Sequence, residues 1–171
     1  YNKSFGEHTL TVLLGQEAYS THYKNLSASK RGFAFNGLTE INSASEMNSM
    51  SSYYTQYRLL SWLSRVEYDF NDRYYVSASF RTDGSSRFHP DNRWGNFWSV
   101  GASWRLSNEE LMKPYSTWMD NLKLKASYGA VGNDNLGTYY AYQGLYATGN
   151  NNYNDAGVFI SRLPNKTLKW E

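Results

Sequence analysis

The sequence predicts an all-β fold of antiparallel strands, and three observations support this class. Apolar and polar side chains alternate in several stretches, which places each type on one face of a strand. The connections between these stretches alternate between short turns and long polar segments. Aromatic residues make up 18% of the 171 residues, and many of them stand near strand ends. Together these features are typical of an up-and-down membrane barrel, with lipid outside and water inside.

The clearest stretch runs from Arg73 to Leu106 and contains two strands joined by a polar loop. Each strand has one face of apolar side chains. These positions are Tyr74, Val76, Ala78 and Phe80 on the first strand, and Trp98, Val100, Ala102, Trp104 and Leu106 on the second. The opposite positions carry Ser, Gly and Arg, including Arg81 and Arg105. A soluble sheet alternates in the same way, but the aromatic strand ends and the small polar second face favour a barrel wall.

The chain before this stretch contains two more predicted strands. The first covers His8–Tyr19 and the second covers 59–70, where a tight hairpin turn at Asn71-Asp72 follows. Residues 20–56 are rich in Ser and Asn, so we expect a long loop, with a turn at Asn36-Gly37 and a short helical turn over 43–50. A loop of this length is usually functional or mobile.

The chain after this stretch contains one further complete strand, over 122–131. The connection 107–121 is expected to begin with a short helix, because Glu109 and Glu110 suit the positive end of a helix dipole. Pro114 would end that helix. Residues 132–161 are predicted to form a second long loop, and Leu168–Glu171 the start of another strand.

The composition gives no support to several other functions. The residues include no cysteine, so disulfides and thiolate metal sites do not arise. A net charge of +2 gives no reason to propose a nucleic-acid partner. His8, His22 and His89 lack the spacing of metal ligands, and no nucleophile or acid pair assembles. We therefore expect no metal, no cofactor and no enzyme activity.

Two interpretations remain, and the direction of the apolar face distinguishes them. In a transporter wall, Trp98, Val100 and Trp104 face lipid, and the basic side chains opposite face water. Those basic side chains are Arg81, Arg105, Lys123 and Lys125. In a soluble all-β carbohydrate-binding module, the apolar face is instead buried against a second sheet.

Four motifs, in order, resemble one family. They are Arg81–Phe88 with Asn92–Gly95 and Trp98–Val100; Trp104–Glu109; Leu122–Gly129 with Gly132-Asn133; and Leu163–Glu171. Residues 59–171 are thereby similar to the SusC/RagA branch of TonB-dependent outer-membrane transporters. In the last motif the family usually has Asn-Pro before Leu-Lys-Trp-Glu, where this chain has Leu163-Pro164-Asn165-Lys166.

The resemblance implies an all-β barrel of about 22 strands in the Gram-negative outer membrane. Residues 1–171 would form part of one barrel domain, in its C-terminal part. The signal peptide, the plug and the remaining strands would lie outside these residues. The family implies a SusD-like surface lipoprotein as a lid, the TonB-ExbB-ExbD complex as energy source, and a glycan or peptide as substrate.

Three residues are candidates for contact with the substrate or the lid: Asp83, Arg87 and Trp94. Asp83 and Arg87 have a second interpretation, which we favour, as members of a hydrogen-bond network that stiffens the loop. Trp94 also fits a row of aromatic residues at a membrane interface. The two long loops, 20–56 and 132–161, are expected to face outward, and the turns at Asn71-Asp72 and 107–121 to face the periplasm.

Overall fold

The structure is a computed structural model that describes residues 1–115 and 118–171, without the side chains of residues 150–152. Six strands form one sheet in sequential order, and two more form a separate hairpin. The six are β1 (Asn2–Phe5), β2 (His8–Phe33), β3 (Ala44–Phe70), β4 (Tyr74–Ser85), β5 (Trp94–Arg105) and β6 (Lys123–Ala130); the hairpin is β7 (Leu145–Asn152) and β8 (Asp155–Arg162). The predicted antiparallel meander is confirmed, since β3, β4, β5 and β6 pair antiparallel in succession.

No helix in the described residues is long and apolar enough to cross a membrane.

The turn between β3 and β4 was correctly predicted. Asn71 and Asp72 have φ angles of 53° and 54°, as the two central residues of a type I′ hairpin turn require. The Arg73 amide donates to the Phe70 carbonyl at 3.0 Å, and the Asp72 amide donates to Asp69 Oδ1 at 3.0 Å. Asn and Asp tolerate the left-handed conformation better than other non-glycine residues, so this pair fixes the turn and the register that follows.

The register places the predicted apolar positions on one face. Trp62 pairs with Thr82, Val66 with Ala78, and Val100 with both Ala78 and Tyr128. We call this even-numbered face of β3–β6 the outer face and the odd-numbered face the inner face. The large apolar side chains of the outer face are 40–75% exposed: Trp62, Val66, Tyr74, Val76, Phe80, Trp98, Val100, Trp104, Leu124 and Tyr128. Within the described residues no second sheet covers them.

The chain divides into two compact units, residues 1–19 with 58–171, and residues 20–57. The second unit corrects the prediction of a long loop over 20–56, because β2 continues to Phe33 and β3 begins at Ala44. Polar cross-strand pairs replace apolar alternation here, with Ser29 Oγ 2.7 Å from Ser49 Oγ and Arg31 Nε 2.9 Å from Glu46 Oε2. The predicted helical turn over 43–50 is wrong, since a 3-10 helix at Ile41–Ser43 precedes the strand.

Three other predictions need correction. The loop predicted over 132–161 contains the β7–β8 hairpin, which is broken by register shifts that hide its alternation. Leu168–Glu171 forms no strand, because Trp170 is drawn into a packed cluster described below. The helix expected after Ser107 is a pair of 3-10 helices, Leu106–Asn108 and Glu110–Tyr115, with Pro114 inside the second. Residues 116–117 of that connection lie outside the described residues.

Candidate functional site

A cluster of polar, charged and aromatic side chains lies on the inner face, at the end of the sheet where β4 passes into β5. We call this set the rim cluster: Glu17, Ser61, Arg81, Asp83, Ser85, Arg87, Phe88, Asp134 and Trp170. Ser61, Asp83 and Ser85 are buried. Burying a polar group costs free energy unless the group is hydrogen-bonded, so the hydrogen-bond partners of these side chains are described first.

Arg81 joins three strands. Its Nε lies 2.7 Å from Asp83 Oδ1 and 2.9 Å from Asp83 Oδ2. Its Nη2 donates to Glu17 Oε2 on β2 at 3.0 Å and to Ser61 Oγ on β3 at 3.0 Å. The planar guanidinium can hold these partners simultaneously because its donors point in fixed directions. These contacts link the side chains of β2, β3 and β4 on the inner face.

Arg87 binds a different part of the chain. Its Nη1 donates to the Asp134 carbonyl at 2.9 Å, and its guanidinium lies 4.9 Å from the centre of the Tyr139 ring. The Asp134 carboxylate accepts a hydrogen bond from Ser85 Oγ at 2.8 Å. The loop between β4 and β5 is thereby tied to the segment that follows β6.

An aromatic core completes the rim cluster. Phe88 has no exposed surface, and its ring centre lies 5.3 Å from that of Trp170. Trp170 also packs edge-on against Phe97 at 5.1 Å and donates from Nε1 to the Arg93 carbonyl at 2.8 Å. A side chain at Gly95 would collide with this arrangement, since a Cβ there would lie 2.7 Å from Trp170 Cγ.

These contacts place the three candidate residues in different roles. Asp83 pairs with Arg81 within β4, whereas Arg87 pairs with Asp134 at 3.5 Å and ties the loop to the segment after β6. The interpretation favoured from the sequence, that both residues stiffen the loop, stays a prediction. Trp94 lies opposite Gly84 on the outer face and is 49% exposed, away from the rim cluster. Contact of any of the three with a substrate or lid stays a prediction.

Sequence reasoning did not select Asp134 or Trp170 as partners of the loop. Both are distant in sequence from their contacts, and only the fold brings them together. The one available signal was that Gly132-Asn133 and Leu168–Glu171 stood out as motifs without an assigned partner.

The opposite end of the inner face carries the basic side chains. Lys123 Nζ lies 3.4 Å from the centre of the Tyr75 ring, and the Arg105 guanidinium lies 5.4 Å from it. The inner face at this end forms a groove whose polar lining combines hydroxyl side chains, two lysines and two carboxylates. The polar lining residues are Thr9, Thr11, Glu67, Asp69, Ser77, Ser103, Lys123, Lys125 and Ser127. Such a surface suits water and polar solutes rather than lipid.

The outer face at this end carries a row of aromatic rings. Neighbouring ring centres lie 4.9 Å apart for His8 and Phe70, 6.4 Å for Phe70 and Tyr74, and 6.2 Å for Tyr74 and Trp104. These rings mark one edge of the apolar surface, as expected for residues at a membrane interface.

Glu109 fastens this row and has a role that the sequence did not indicate. Its Oε1 accepts hydrogen bonds from Trp104 Nε1 and from Tyr74 Oη, both at 2.9 Å. These bonds, with Arg73 Nη1 at 3.5 Å, lower the pKa of the Glu109 carboxyl, the Trp104 bond contributing most. Glu110 keeps its predicted place in the first turn of a helix, where Lys113 Nζ lies 2.8 Å away.

Among residues 1–115 and 118–171, no group of three His, Asp or Glu side chains could hold a metal ion.

Comparisons with known proteins agree with this architecture. Over 178 residues the chain is 32% identical to the TonB-dependent receptor SusC of Bacteroides thetaiotaomicron, a match that covers 100% of this chain and 17% of the relative. It is 35% identical over 179 residues to the TonB-dependent receptor P39 of Formosa agariphila, with the same two coverages. No family model matches the chain.

A solved structure of the RagAB peptide transporter superposes with a TM-score of 0.88 at 32% sequence identity. That match covers 99% of this chain and 19% of the solved chain. The chain therefore spans about 17% of the length of the curated relatives described above.

Proposed function

This chain belongs to the SusC/RagA family of TonB-dependent receptors, and we propose that it forms part of the barrel wall of an outer-membrane importer. The observation that carries the proposal is the segregation of the two faces of β3–β6. Large apolar side chains are exposed on the outer face, and hydroxyl, basic and acidic side chains line the inner face. A soluble protein rarely leaves such a continuous apolar surface uncovered, whereas a barrel wall requires it.

The aromatic residues of β5 give the wall a height that fits a membrane. Trp94 and Trp104 stand ten positions apart on the outer face of one strand. A rise of about 3.4 Å per residue separates them by about 34 Å along the strand. At a tilt near 40° this corresponds to roughly 26 Å along the membrane normal, close to the apolar band of about 25 Å in outer-membrane barrels. Trp94 then belongs to the second interface row.

The importer takes up a glycan, with a peptide as the alternative substrate class. Its proposed partners are a SusD-like lipoprotein that closes the pore and the TonB-ExbB-ExbD complex that supplies energy. The similarity to the TonB-dependent receptor SusC supports TonB as a partner, and the similar RagAB structure is described as a peptide transporter. Arg87 supports import indirectly, by holding the loop between β4 and β5, and Asp83 does so by orienting Arg81 on β4.

The parts of the chain that meet substrate or lid are the ribbon of residues 20–57 and the β7–β8 hairpin. Both are longer than a turn requires, and the ribbon is too polar for the bilayer. The Asn71-Asp72 turn and the 3-10 connection after β5 face the periplasm in this orientation.

We expect shortening either long segment in the full-length transporter to reduce substrate uptake or lid association without preventing barrel insertion. One variant replaces residues 22–55 by a two-residue turn, and the other replaces residues 146–161. An insertion after Asn71 is the matched control, because it changes a connection at the other end of the sheet. The measurements are uptake of labelled substrate in cells with and without TonB, and recovery of the lipoprotein with the purified barrel.

Uptake that persists without TonB would contradict energised import. If both shortened variants import and bind the lid normally while the Asn71 insertion abolishes lid binding, the proposed orientation of the wall is inverted.

A further inference from the structure

Two tyrosines form an exposed pair within the unit of residues 20–57. The ring centres of Tyr23 and Tyr53 lie 5.7 Å apart at an interplanar angle of 44°. The side chains are 49% and 53% exposed. The paired strands β2 and β3 hold the two rings beside each other, while about half of their surface remains open to a ligand.

The segments that surround the pair are rich in hydroxyl and amide side chains. Residues 20–25 and 51–57 contain Tyr, Ser, Thr, His, Lys, Asn and Gln, but no Leu, Ile, Val, Met, Phe or Ala. Within these two segments the large apolar area comes from tyrosine rings set among hydroxyl and amide groups, and the exposed Leu26 and Met50 stand just outside them. Lys24 carries the only full charge in these two segments, so the surface is close to neutral.

We propose that the Tyr23–Tyr53 pair is a stacking platform for a sugar ring of a neutral oligosaccharide, an inference that rests on the proposed import function. A pyranose ring presents a face of C–H groups and an edge of hydroxyl groups. The C–H face matches the electron-rich face of an aromatic ring. The hydroxyl edge matches the Ser, Thr and Asn side chains of the same segments, which both donate and accept hydrogen bonds.

A protein or peptide ligand fits the same surface less well. Interfaces that bind proteins bury an apolar centre from which water is excluded, and residues 20–25 and 51–57 supply no aliphatic side chain for such a centre. A charged ligand also lacks a counterpart, since Lys24 is the single charged residue of these segments. A neutral sugar uses both the rings and the hydroxyl groups, and it needs no charge.

The test uses the purified full-length transporter with its lipoprotein lid. Binding is measured on an array of neutral oligosaccharides that covers α- and β-linked hexoses and pentoses, and on a random peptide library. We expect at least one class of oligosaccharide to bind, and we expect the Y23A/Y53A double variant to lose that binding by about tenfold or more. The Y23F/Y53F variant keeps both rings and should remain within about threefold of the original protein. Tyr115→Ala is the matched control, because Tyr115 is 51% exposed in the 3-10 connection after β5, outside both segments proposed to meet substrate or lid.

Oligosaccharide binding that is unchanged in Y23A/Y53A overturns the platform. So does a transporter that binds peptides and no neutral oligosaccharide. Either result leaves the proposed import function intact if uptake still requires TonB. Loss of TonB dependence contradicts the import function itself, so the two failures can be told apart.

Discussion

Replacing Phe88 by alanine is expected to release the loop between β4 and β5 from the wall. Phe88 has no exposed surface and packs against Trp170, so truncation removes a buried ring and leaves a cavity. Such truncations cost about 3–5 kcal/mol. We expect the loss of stability to be confined to this loop. The loop is held by Trp170, by Arg87 and by the Ser86 amide, which donates to the Arg58 carbonyl at 2.9 Å.

Hydrogen exchange on the full-length protein in detergent measures this effect. The amides of Ser85, Ser86 and Phe88 should exchange at least about a hundredfold faster in Phe88→Ala, since every 1.4 kcal/mol corresponds to a factor of ten. Phe88→Leu keeps most of the volume and should show a much smaller change. Tyr153→Ala removes an exposed aromatic and should leave these amides unchanged. Equal protection in Phe88→Ala would mean that the rim cluster does not hold the loop.

An arginine at Val100 is expected to have the second large effect. Val100 is 48% exposed in the middle of the outer face, where the proposed wall meets the centre of the bilayer. A charged side chain at that depth costs about 2–4 kcal/mol in outer-membrane barrels. We expect Val100→Arg to lower the fraction of full-length protein that inserts as a folded barrel, measured by heat-dependent mobility of outer-membrane extracts on a gel.

Ser77→Arg is the matched control on the inner face. Ser77 lies opposite Glu67 on one neighbouring strand and Gly101 on the other, so an arginine there has a nearby carboxylate and a position without a side chain beside it. Insertion should remain near the original level. Equal insertion of the two variants would contradict the assignment of the outer face to lipid.

The sheet was predictable from sequence where local signals agree. In β4 and β5 the alternation is uninterrupted, and Asn71-Asp72 supplies a turn of known geometry, so register and facing follow from the residues themselves. The signal failed where polar residues form the strands. Ser29 and Ser49 pair across a ribbon that lacks an apolar face, and nothing in their pattern distinguishes that ribbon from a loop.

The rim cluster was predictable only in part. Asp83 and Arg87 were expected to join a hydrogen-bond network, and each has a charged partner. The partner of Arg87 could not be found from the sequence, since Asp134 lies 47 residues away. Nor could Glu17, which reaches Arg81 from another strand. Trp170 was assigned to a strand because Leu168 and Trp170 alternate with Lys169 and Glu171. Its ring instead packs against Phe88 and Phe97. Long-range packing of this kind leaves no local trace in the sequence.

The facing of β5 in the membrane is the central claim, and nitroxide labels at successive positions of this strand test it most directly. Single cysteines are placed at Ser99, Val100, Ala102 and Ser103 in a cysteine-free full-length transporter reconstituted in lipid bilayers. Collisions with oxygen report lipid exposure, and collisions with a water-soluble nickel chelate report aqueous exposure. We expect labels at Val100 and Ala102 to collide with oxygen and labels at Ser99 and Ser103 to collide with the nickel chelate. The reverse pattern, or equal accessibility at all four positions, would contradict the account of this chain as a barrel wall.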